Sequence, residues 1–536
     1  MNMLDEAIKR QPCLPRFLSH LYQRLTQDKL NLITGAGISF DAGVPLWHKL
    51  LERLASQSEE LSQDLQKHKD SGLNPEYLGQ ILYHRHRNNW NEGVEADLRD
   101  ATIENGWAEA IHDAIYQDVP DSIEKVLKSH PYLNQVTQFA RKVPLVINFN
   151  FDDILSDALG YHNTSNPGVK NRSFTVTWHP PIVERQNTTT VYHVNGILPR
   201  VSLRKRSPKI TFTEDSFSDA LARSPDVSKE YLFLRFVQNT MLIVGHSLSD
   251  SSLKNYLRRN RDKSPANHHY MIYWIEKTDS LTMDQQADIF EANLELYNII
   301  TIFLTSKEIN ALFSVLNKDD RSVRDILESS DPEARSRFHY YIVGPVASGK
   351  STLLEHLRCF NTFEEWTRPP PEIMYLSSDK LDESNQRKVD DFIYSELKEK
   401  NLRMDQAGIG IHFMDRAPLD LYAFSKNDDE RKQKTCDLVE KVTRDKPLLN
   451  GSIVFLDADG STLMKRNLRR GRLPGKAGGT DYLRKQAEAL KEIYSPTYIL
   501  ECQNKEPSQV AKEVARHALL EPYSPLDLES ILSKYS

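Results

Sequence analysis

The chain has 536 residues, of which 39% are hydrophobic and 27% are charged, as expected for a globular protein of several domains. Its formal net charge of −6 argues against a dedicated nucleic-acid binder. No apolar run approaches the roughly 20 residues that cross a bilayer, and the start of the chain lacks the apolar core of a signal peptide. We therefore expect a cytoplasmic protein with no membrane partner.

The N-terminal half alternates between apolar runs and helical patterns. Residues 14–29 predict an amphipathic helix that leads into a buried strand. The strands predicted in this half are Leu30–Thr34, Val143–Asn148, Val191–Val194, Met241–Val244, Tyr270–Ile275 and Ile299–Leu304. Residues 50–140 are mostly helical in pattern and are interpreted as an inserted helical layer. Strands that alternate with helices predict a parallel sheet covered on both faces.

A polar and strongly charged segment at residues 317–337 is the predicted linker. A second series of strands follows it, at Tyr340–Val343, Ile373–Leu376, Ile411–Met414, Ile453–Leu456 and Tyr498–Leu500. The sequence therefore predicts two α/β domains, at residues 1–316 and 338–536, with the helical insertion inside the first.

A glycine-rich turn, Gly35-Ala36-Gly37-Ile38-Ser39, follows the first predicted strand. It lacks the third glycine of the dehydrogenase fingerprint, because Phe40 stands there. Alone it is also consistent with a tight strand–helix turn. Three further segments lie at the ends of later strands, and they are VINFNFDD at 146–153, VYHVNG at 191–196 and GHSLSD at 245–250. The carboxyl ends of strands in a doubly wound sheet converge on one crevice.

Together these segments resemble the sirtuin family over roughly residues 20–305, which implies a Rossmann-like fold that takes NAD⁺ as a substrate. The resemblance implies that Asn150 positions the ribose or the attacking water. It also implies that Asp152 contacts the nicotinamide carboxamide and that His193 is the general base. The other NAD⁺-binding residues implied by the resemblance are Gly35, Ala36, Gly37, Ser39, Gly245, Ser247 and Asp250.

Departures from the sirtuin pattern narrow the resemblance. The four cysteines, Cys13, Cys359, Cys436 and Cys502, do not have the spacing of a zinc site, so we expect no zinc. The segment Leu46-Trp47-His48 replaces the DFR of the family, and Asn195 stands directly before Gly196, where the family has its histidine. These features are more similar to sirtuin-like NAD⁺ hydrolases of bacterial antiphage systems than to protein deacylases.

The proposed chemistry suits these residues. A histidine that is neutral near pH 7 can accept a proton when the N-glycosidic bond of NAD⁺ breaks, and no metal is needed. The alternative for His193 is a core histidine bonded to a backbone carbonyl. For Asp152 and Asp153 the alternative is an N-cap at the start of a helix.

The C-terminal half contains a phosphate-binding loop pattern, in which Gly344 is followed after four residues by Gly349-Lys350-Ser351. In this pattern backbone N–H groups cradle phosphates, the lysine reaches the β- and γ-phosphates, and the serine hydroxyl binds Mg²⁺. Ser348 and Thr352 flank these residues and are included in the predicted nucleotide site. The cofactor expected here is ATP or another nucleotide with Mg²⁺.

Two later strand ends carry charged residues, Asp415-Arg416 in one case and Asp457-Ala458-Asp459-Gly460 in the other. With the phosphate-binding loop they resemble the thymidylate kinase and deoxynucleoside kinase group. The resemblance implies that Asp415 is a base or Mg²⁺ ligand and that Arg416 contacts the acceptor or a phosphate. It also implies a lid lined by Arg466, Arg469, Arg470 and Arg472, although a solvated helix face explains this arginine run equally well.

Together the two resemblances imply a nicotinamide-releasing NAD⁺ hydrolase of bacterial antiphage defence, gated by nucleotide binding or turnover in a kinase-like domain. One alternative is an active nucleoside or nucleotide kinase regulated by NAD⁺ or ADP-ribose in a non-catalytic sirtuin-like domain. Another is a scaffold in which both sites bind without turnover. The expected partners are nucleotides that act as trigger or inhibitor, a phage or host protein, and further copies of the chain in a homo-oligomer.

Overall fold

The computed structural model describes residues 4–535 with gaps at 57–58, 71, 90–95, 166–171, 180–181, 183, 202–205, 208–209, 224–225, 276–280, 330–334, 376–381, 426 and 470–478. The chain forms two compact units. Unit 1 consists of Met1–Arg10, Leu25–Lys263 and His268–Asp319, and unit 2 consists of Gln11–Arg24, Ser264–Asn267 and Asp320–Ser536. Residues 11–24 therefore group with the C-terminal half, although the sequence analysis places them in the first domain.

Unit 1 is built on a seven-stranded parallel sheet in the order β3-β4-β2-β1-β5-β6-β7. Its strands are β1 (Leu30–Thr34), β2 (Leu145–Asn148), β3 (Ser173–Thr177), β4 (Thr188–His193), β5 (Thr240–Val244), β6 (His269–Trp274) and β7 (Ile299–Leu304). Thr34 pairs with Asn148 on one side and with Val244 on the other, so three central strands end at one level. Because the strand order reverses at β1, its carboxyl end is where a doubly wound sheet binds ligands.

The predicted fold class, with two parallel α/β sheets, is confirmed. Strands β1 and β7 have their predicted bounds. Every residue in both strands is buried, and apolar or β-branched residues favour strands of this kind. The sequence pattern does not predict β3, a partly exposed strand at the edge of the sheet.

Helices surround this sheet and fill the predicted insertion. In chain order they are α1 (Asp5–Arg10), α3 (Trp47–Ala55), α4 (Glu59–Asp70), α5 (Pro75–Asn89), α6 (Ala96–Tyr116), α7 (Ile123–Ser129), α8 (Pro131–Ala140), α9 (Ile154–Ser165), α10 (Glu214–Arg223), α11 (Asp226–Gln238), α12 (Ser251–Lys263), α13 (Met283–Tyr297) and α14 (Ser306–Leu316). Helix α2 (Leu14–Thr26) follows α1 in the chain, and its residues up to Arg24 belong to unit 2. Helices α13 and α14 both begin with a capping box, at Thr282 and Thr305. Among the helices so described, none is long and apolar enough to span a membrane.

Unit 2 is built on a five-stranded parallel sheet in the order β12-β11-β8-β10-β9. Its strands are β8 (Arg337–Val343), β9 (Asn361–Phe363), β10 (Gly410–Asp415), β11 (Ser452–Asp457) and β12 (Tyr498–Glu501). Its further helices are α15 (Asp320–Glu328), α16 (Lys350–His356), α17 (Glu383–Asp405), α18 (Asp428–Leu438), α19 (Gly460–Arg469), α20 (Thr480–Tyr494), α21 (Pro507–Leu520) and α22 (Leu528–Ser533). Helix α15 lies within the charged segment 317–337 and buries Val323 and Leu327.

The strand predicted at Ile373–Leu376 is wrong. Residues Glu372–Tyr375 form a short 3₁₀-helix, and Leu376 lies outside the described residues. Three prolines at 369–371 precede this segment, and a proline nitrogen cannot donate to a strand ladder. The short strand β9, which the sequence analysis does not predict, takes the edge position beside β10 instead.

The N-terminal helix α2 is an integral part of unit 2. The side-chain amide of Gln23 donates to the Ile411 carbonyl at 2.9 Å and accepts from the Ile411 N–H at 3.2 Å. The amide approaches so closely that a Cβ on Gly410 would lie 2.4 Å from Gln23 Cδ. Arg16 donates to the Ala518 and Glu521 carbonyls at the end of α21. These contacts satisfy backbone groups at a strand and at a helix terminus, where unpaired groups are costly.

Candidate functional sites

In unit 1 the glycine-rich turn lies directly against the segment that follows β5. The Gly35 N–H donates to the Val244 carbonyl at 3.1 Å, and the Gly37 N–H donates to the Gly245 carbonyl at 2.8 Å. A Cβ on Gly35 would lie 2.7 Å from the Gly245 oxygen, and one on Gly245 would lie 2.5 Å from the Ile38 nitrogen. Gly245 also has a φ of 67°, which favours glycine. Glycine is therefore required on both sides of this contact.

Most backbone donors of the turn are already used inside the protein. Besides Gly35 and Gly37, the N–H groups of Ile38 and Ser39 donate to the carbonyls of Gly35 and Ala36 at 3.0 and 3.2 Å. A loop that cradles phosphates normally presents free N–H groups to them. These four N–H groups are therefore not available to a phosphate in this conformation.

Two of the predicted catalytic residues hold the turn in place. The Asn150 side chain donates to the Gly35 carbonyl at 3.1 Å and to the Ser39 hydroxyl at 3.3 Å. The Ser39 hydroxyl donates to the Asp152 carboxylate at 2.9 Å, and the same carboxylate oxygen accepts from the Ile154 N–H. Burial raises the pKa of Asp152 to about 6. Asn150, Asp152 and Ser39 thus form one buried network at the ends of β1 and β2.

His193, at the end of β4, contacts this network through the backbone. Its Nδ1 lies 3.1 Å from the Asn150 carbonyl oxygen, which can only accept, so Nδ1 carries the proton. Its Nε2 is buried and has no hydrogen-bond partner among the described residues. Burial lowers the pKa of the ring to about 4, so the ring is neutral at pH 7. The alternative considered for His193, a core histidine bonded to a backbone carbonyl, describes its Nδ1 but leaves the Nε2 lone pair unexplained.

The segment after β5 carries the remaining predicted NAD⁺-binding residues. Ser247 is exposed, and its hydroxyl lies 3.0 Å from that of Ser249. The Asp250 carboxylate accepts from the Leu253 N–H at 2.8 Å, as an N-cap of α12 does. Between them and Gly245 lies His246, which the sequence analysis did not single out. Its ring packs edge-to-face against Phe149, directly before Asn150, with the ring centres 4.9 Å apart.

In unit 2 the phosphate-binding loop connects β8 to α16, as the sequence pattern predicts. Gly349 is the N-cap of α16 and has a φ of 105°. Gly344 has a φ of 156°, and a Cβ there would lie 2.6 Å from the Leu456 carbonyl oxygen. Lys350 is 6% exposed, and its ammonium donates to the Gly344 and Pro345 carbonyls at 2.9 Å each. Burial lowers its pKa to about 8.

Ser351, which follows Lys350, and Asp415, at the end of β10, could hold a cation. The Ser351 hydroxyl donates to one Asp415 carboxylate oxygen at 2.9 Å. The other Asp415 oxygen is buried and has no partner among the described residues. A hydroxyl and a carboxylate beside a phosphate site are the hard oxygen ligands that Mg²⁺ prefers, so these residues fit Mg²⁺. In the described part of the chain no group of three or more His, Cys, Asp or Glu side chains forms a metal site.

Arg416 lies in a cluster of buried and half-buried charges that the sequence analysis predicted only in part. Its guanidinium pairs with Glu365 at 2.6 Å and approaches Asp420 at 3.9 Å. The Tyr494 hydroxyl donates to Asp420 at 2.9 Å, and burial raises the pKa of Asp420 to about 6. The Lys400 ammonium donates to the backbone carbonyl of Asp415 at 2.7 Å. No local sequence motif predicts the other members of this cluster, which belong to separate segments of the chain, namely Glu365, Lys400 and Tyr494.

A cavity of about 640 Å³ lies beside the phosphate-binding loop. The loop and the start of α16 line it with Ala347, Ser348, Gly349 and Thr352, and its basic side chains are Lys465, Arg466, Arg469 and Lys505. Arg466 is held by the Ser348 and Cys502 carbonyls at 3.2 and 2.7 Å. Two of the predicted lid arginines, Arg470 and Arg472, lie outside the described residues. The cavity therefore joins the loop to the basic face of α19.

Comparisons with known proteins bear on these sites to different degrees. A family model described as a SIR2-like domain matches residues 144–302. No curated protein matches the chain. Shikimate kinase from Acinetobacter baumannii in complex with shikimate is 16% identical, with a TM-score of 0.22, over 34% of this chain and 94% of that one. The NadR protein in complex with NR is 13% identical, with a TM-score of 0.25, over 55% of this chain and 83% of that one.

Proposed function

We propose that this protein is an NAD⁺ hydrolase that releases nicotinamide and is gated by nucleotide binding or turnover in unit 2. The SIR2-like match at residues 144–302 supports NAD⁺ as the substrate. The observation that carries the proposal is the unpaired Nε2 of His193, held in place through Nδ1 by the Asn150 carbonyl. A neutral imidazole with a free lone pair can accept a proton.

The reaction uses these groups as follows. The bond between the ribose C1′ and the nicotinamide nitrogen breaks, and its electron pair returns to the nitrogen, which loses its positive charge. A water oxygen bonds to C1′, and His193 Nε2 accepts the proton that the water loses. The proton then passes to solvent, and the products are nicotinamide and ADP-ribose. Asn150 and Asp152 keep the turn and its Ser39 hydroxyl in position for this step.

Unit 2 has the side chains of a nucleotide-binding site. Lys350 supplies a buried cation for phosphate oxygens, and the Lys465 to Arg469 face of α19 supplies further positive charge at the cavity. Ser351 and Asp415 would hold Mg²⁺, which neutralises phosphate charge when it is bound. The cavity volume of about 640 Å³ is within the range of small-molecule sites.

Gating follows from the cost of uncontrolled activity. An enzyme that hydrolyses NAD⁺ without restraint would deplete the cell, so a ligand-dependent element is needed. A unit that binds a nucleotide can shift such an equilibrium if the two states differ in affinity for it. Bacterial antiphage defence is the setting we propose, and it rests on the resemblance to sirtuin-like NAD⁺ hydrolases of such systems.

The experiment that tests the proposal measures nicotinamide release from NAD⁺ by the purified full chain. Wild type, Asn150→Ala and His193→Ala are assayed with Mg²⁺ and a panel of nucleoside mono- and triphosphates. We expect release that a nucleotide switches on or off and that both variants reduce by at least about 100-fold. No release under any nucleotide would overturn the hydrolase proposal.

A second candidate is an active nucleoside or nucleotide kinase whose unit 1 binds NAD⁺ or ADP-ribose without cleaving it. Two observations favour it: Asn195 stands directly before Gly196, and His193 is 0% exposed. In that case Lys350→Ala abolishes phosphoryl transfer from ATP, whereas His193→Ala leaves it unchanged. Assaying both variants for transfer and for nicotinamide release separates the two candidates.

A further inference from the structure

Helix α20 contacts the phosphate-binding loop of unit 2 through one buried glutamine. The Val346 N–H, in the first half of the loop, donates to the Gln486 side-chain oxygen at 3.0 Å. Gln486 is 2% exposed, and its neighbours Leu483, Ala487 and Leu490 on the helix are also buried. The glutamine side chain therefore has a fixed position beside the loop.

The bond from Val346 also fixes the orientation of the glutamine amide. Because a backbone N–H can only donate, the amide oxygen Oε1 faces the loop, and Nε2 takes the other position. Nε2 carries two N–H donors, and it is buried without a hydrogen-bond partner among the residues that the structure describes. A buried donor without a partner costs free energy in a folded protein, so a ligand that accepts a hydrogen bond from Nε2 is expected here.

The position of Val346 along the loop indicates which part of a nucleotide lies near Gln486. The Lys350 ammonium, which in this loop pattern reaches the β- and γ-phosphates, donates to the two backbone carbonyls directly before Val346. The cavity beside the loop is lined by the loop from Ala347 onward, and neither Val346 nor Gln486 is among its lining residues. If the nucleoside occupies this cavity, Gln486 lies toward the opposite end of the nucleotide, where the terminal phosphate is.

The same face of α20 also contacts the charged cluster around Arg416. Tyr494 lies eight residues after Gln486, so both side chains project from one face of the helix. The Tyr494 hydroxyl donates to the Asp420 carboxylate at 2.9 Å, and Asp420 lies 3.9 Å from the Arg416 guanidinium. Helix α20 is therefore attached to the nucleotide site at two points, which limits the movement of Gln486 relative to the loop.

We propose that Gln486 donates a hydrogen bond from Nε2 to the terminal phosphate of a nucleoside triphosphate, so that unit 2 binds triphosphates in preference to diphosphates. This inference rests on the proposed function, since it assigns a specificity-determining residue to the nucleotide site of unit 2. A diphosphate lacks the third phosphate and leaves Nε2 without a partner, whereas a triphosphate supplies the missing acceptor. The gate then responds to the phosphorylation state of the nucleotide and not only to its presence.

Two substitutions separate the free donor from the bond that holds the loop. Gln486→Glu keeps an oxygen for the Val346 N–H and replaces the donor with an acceptor of nearly the same shape. Gln486→Met loses both contacts but adds no charge. We expect both variants to lower the ratio of triphosphate affinity to diphosphate affinity by about tenfold or more, as loss of a hydrogen bond to a charged group does. Gln486→Met should also lower Tm, because the Val346 N–H loses its partner.

The affinities are measured by calorimetry on the full chain with Mg²⁺. The probes are the β,γ-imido analogues of ATP and GTP and the matching diphosphates. The control variant is Gln433→Glu, which makes the same change of charge at an exposed glutamine of α18.

A lower ratio in both Gln486 variants, with the ratio of the control unchanged, supports the inference. An unchanged ratio, or an equal loss of affinity for both ligand classes, overturns it, since Gln486 then only holds the loop, and leaves nucleotide binding by unit 2 intact. If the wild type binds none of the probes, the inference and the nucleotide site fall together. Nicotinamide release from the same preparations tests the hydrolase separately.

Discussion

The two units place their candidate sites at equivalent positions, beyond the carboxyl ends of parallel strands, but they fill them with opposite chemistry. In unit 1 the network consists of an amide, a hydroxyl, neutral imidazoles and one buried carboxyl, Asp152. In unit 2 three cations and three carboxylates lie together around the phosphate-binding loop, namely Lys350, Lys400, Arg416, Glu365, Asp415 and Asp420. The fold sets where a ligand binds, and the side chains set which ligand that is.

The difference matches what each site is proposed to do. Breaking NAD⁺ needs a group that accepts a proton and a rigid frame around the nicotinamide end, and neutral groups supply both. Binding a nucleoside triphosphate needs compensation for several negative charges, which only cations or a metal can supply. The rigid frame of unit 1 rests on backbone contacts at glycines, whereas the unit 2 site rests on ion pairs.

We expect the largest effect on stability and on NAD⁺ binding from a substitution at the close glycine contacts of unit 1. Gly245→Ala would place a Cβ 2.5 Å from the Ile38 nitrogen at a φ of 67°. We expect it to lower the free energy of unfolding by about 3 kcal/mol and to abolish NAD⁺ binding. Urea denaturation followed by tryptophan fluorescence reports mainly unit 1, which contains Trp47, Trp90, Trp107, Trp178 and Trp274 of the six tryptophans.

The matched control for this prediction is Gly160→Ala. Gly160 lies in helix α9, and a Cβ there would meet nothing within 4 Å. This substitution should stabilise unit 1 by about 0.5 to 1 kcal/mol and leave NAD⁺ affinity unchanged. If Gly245→Ala behaved like Gly160→Ala, the turn would not depend on the close contact after β5.

The charged site of unit 2 gives the next effect. Lys350→Ala removes the buried ammonium that lies within the phosphate-binding loop. We expect ATP binding, measured by calorimetry, to weaken about 100-fold, because hydrogen bonds between charged groups contribute most to phosphate binding. Lys398→Ala, which removes an exposed lysine paired with Asp445, should leave ATP affinity unchanged. Equal affinities of the two variants would contradict a charge-based site.

The neutral histidine of unit 1 gives a smaller, pH-dependent effect. Burial lowers the pKa of His193 from its usual 6.5 to about 4. The unfolded chain therefore binds a proton that the folded protein does not, and stability falls as the pH drops from 6.5 toward 4. At pH 5 the loss is about 2 kcal/mol. Wild type should lose this amount relative to His193→Gln between pH 7 and pH 5 in urea denaturation, whereas His179→Asn should track wild type. Parallel curves for wild type and His193→Gln would show that the ring is not held neutral by burial.

Sequence patterns predict the parts of the fold that local chemistry determines. Strands β1 and β7 were predictable because both are buried throughout and consist of apolar or β-branched residues, apart from Asn31 in β1. Two elements were not predictable from local patterns. Strand β3 is a partly exposed edge strand that depends on its pairing with β4, and the 3₁₀-helix at Glu372–Tyr375 follows three prolines that disfavour a strand. The amphipathic pattern of α2 predicted a helix, but such a pattern does not say against which sheet the apolar face packs.

The residues of the candidate sites also divide into those that a local motif predicts and those that it does not. Short motifs predicted the glycine-rich turn, Asn150, Asp152, Lys350 and Asp415 as site residues. They did not single out His246, whose ring packs against Phe149 and accepts from the Leu248 N–H. They also missed Lys400 and Glu365, which contact Asp415 and Arg416 from distant segments. Sequence motifs predict residues at the ends of strands, whereas contacts between residues far apart in the sequence become visible only in the structure.

The contact between Gln23 and Ile411 has a consequence for the order in which the protein folds during its synthesis. The two residues are 388 positions apart in the chain. At about 5 to 20 residues per second, the ribosome adds Ile411 roughly 20 to 80 s after Gln23. During that interval helix α2 has emerged without the strand that its amide completes, while all of unit 1 up to Asp319 has been translated. Residues 11–24 are thus synthesised well before the strand that completes their packing in unit 2.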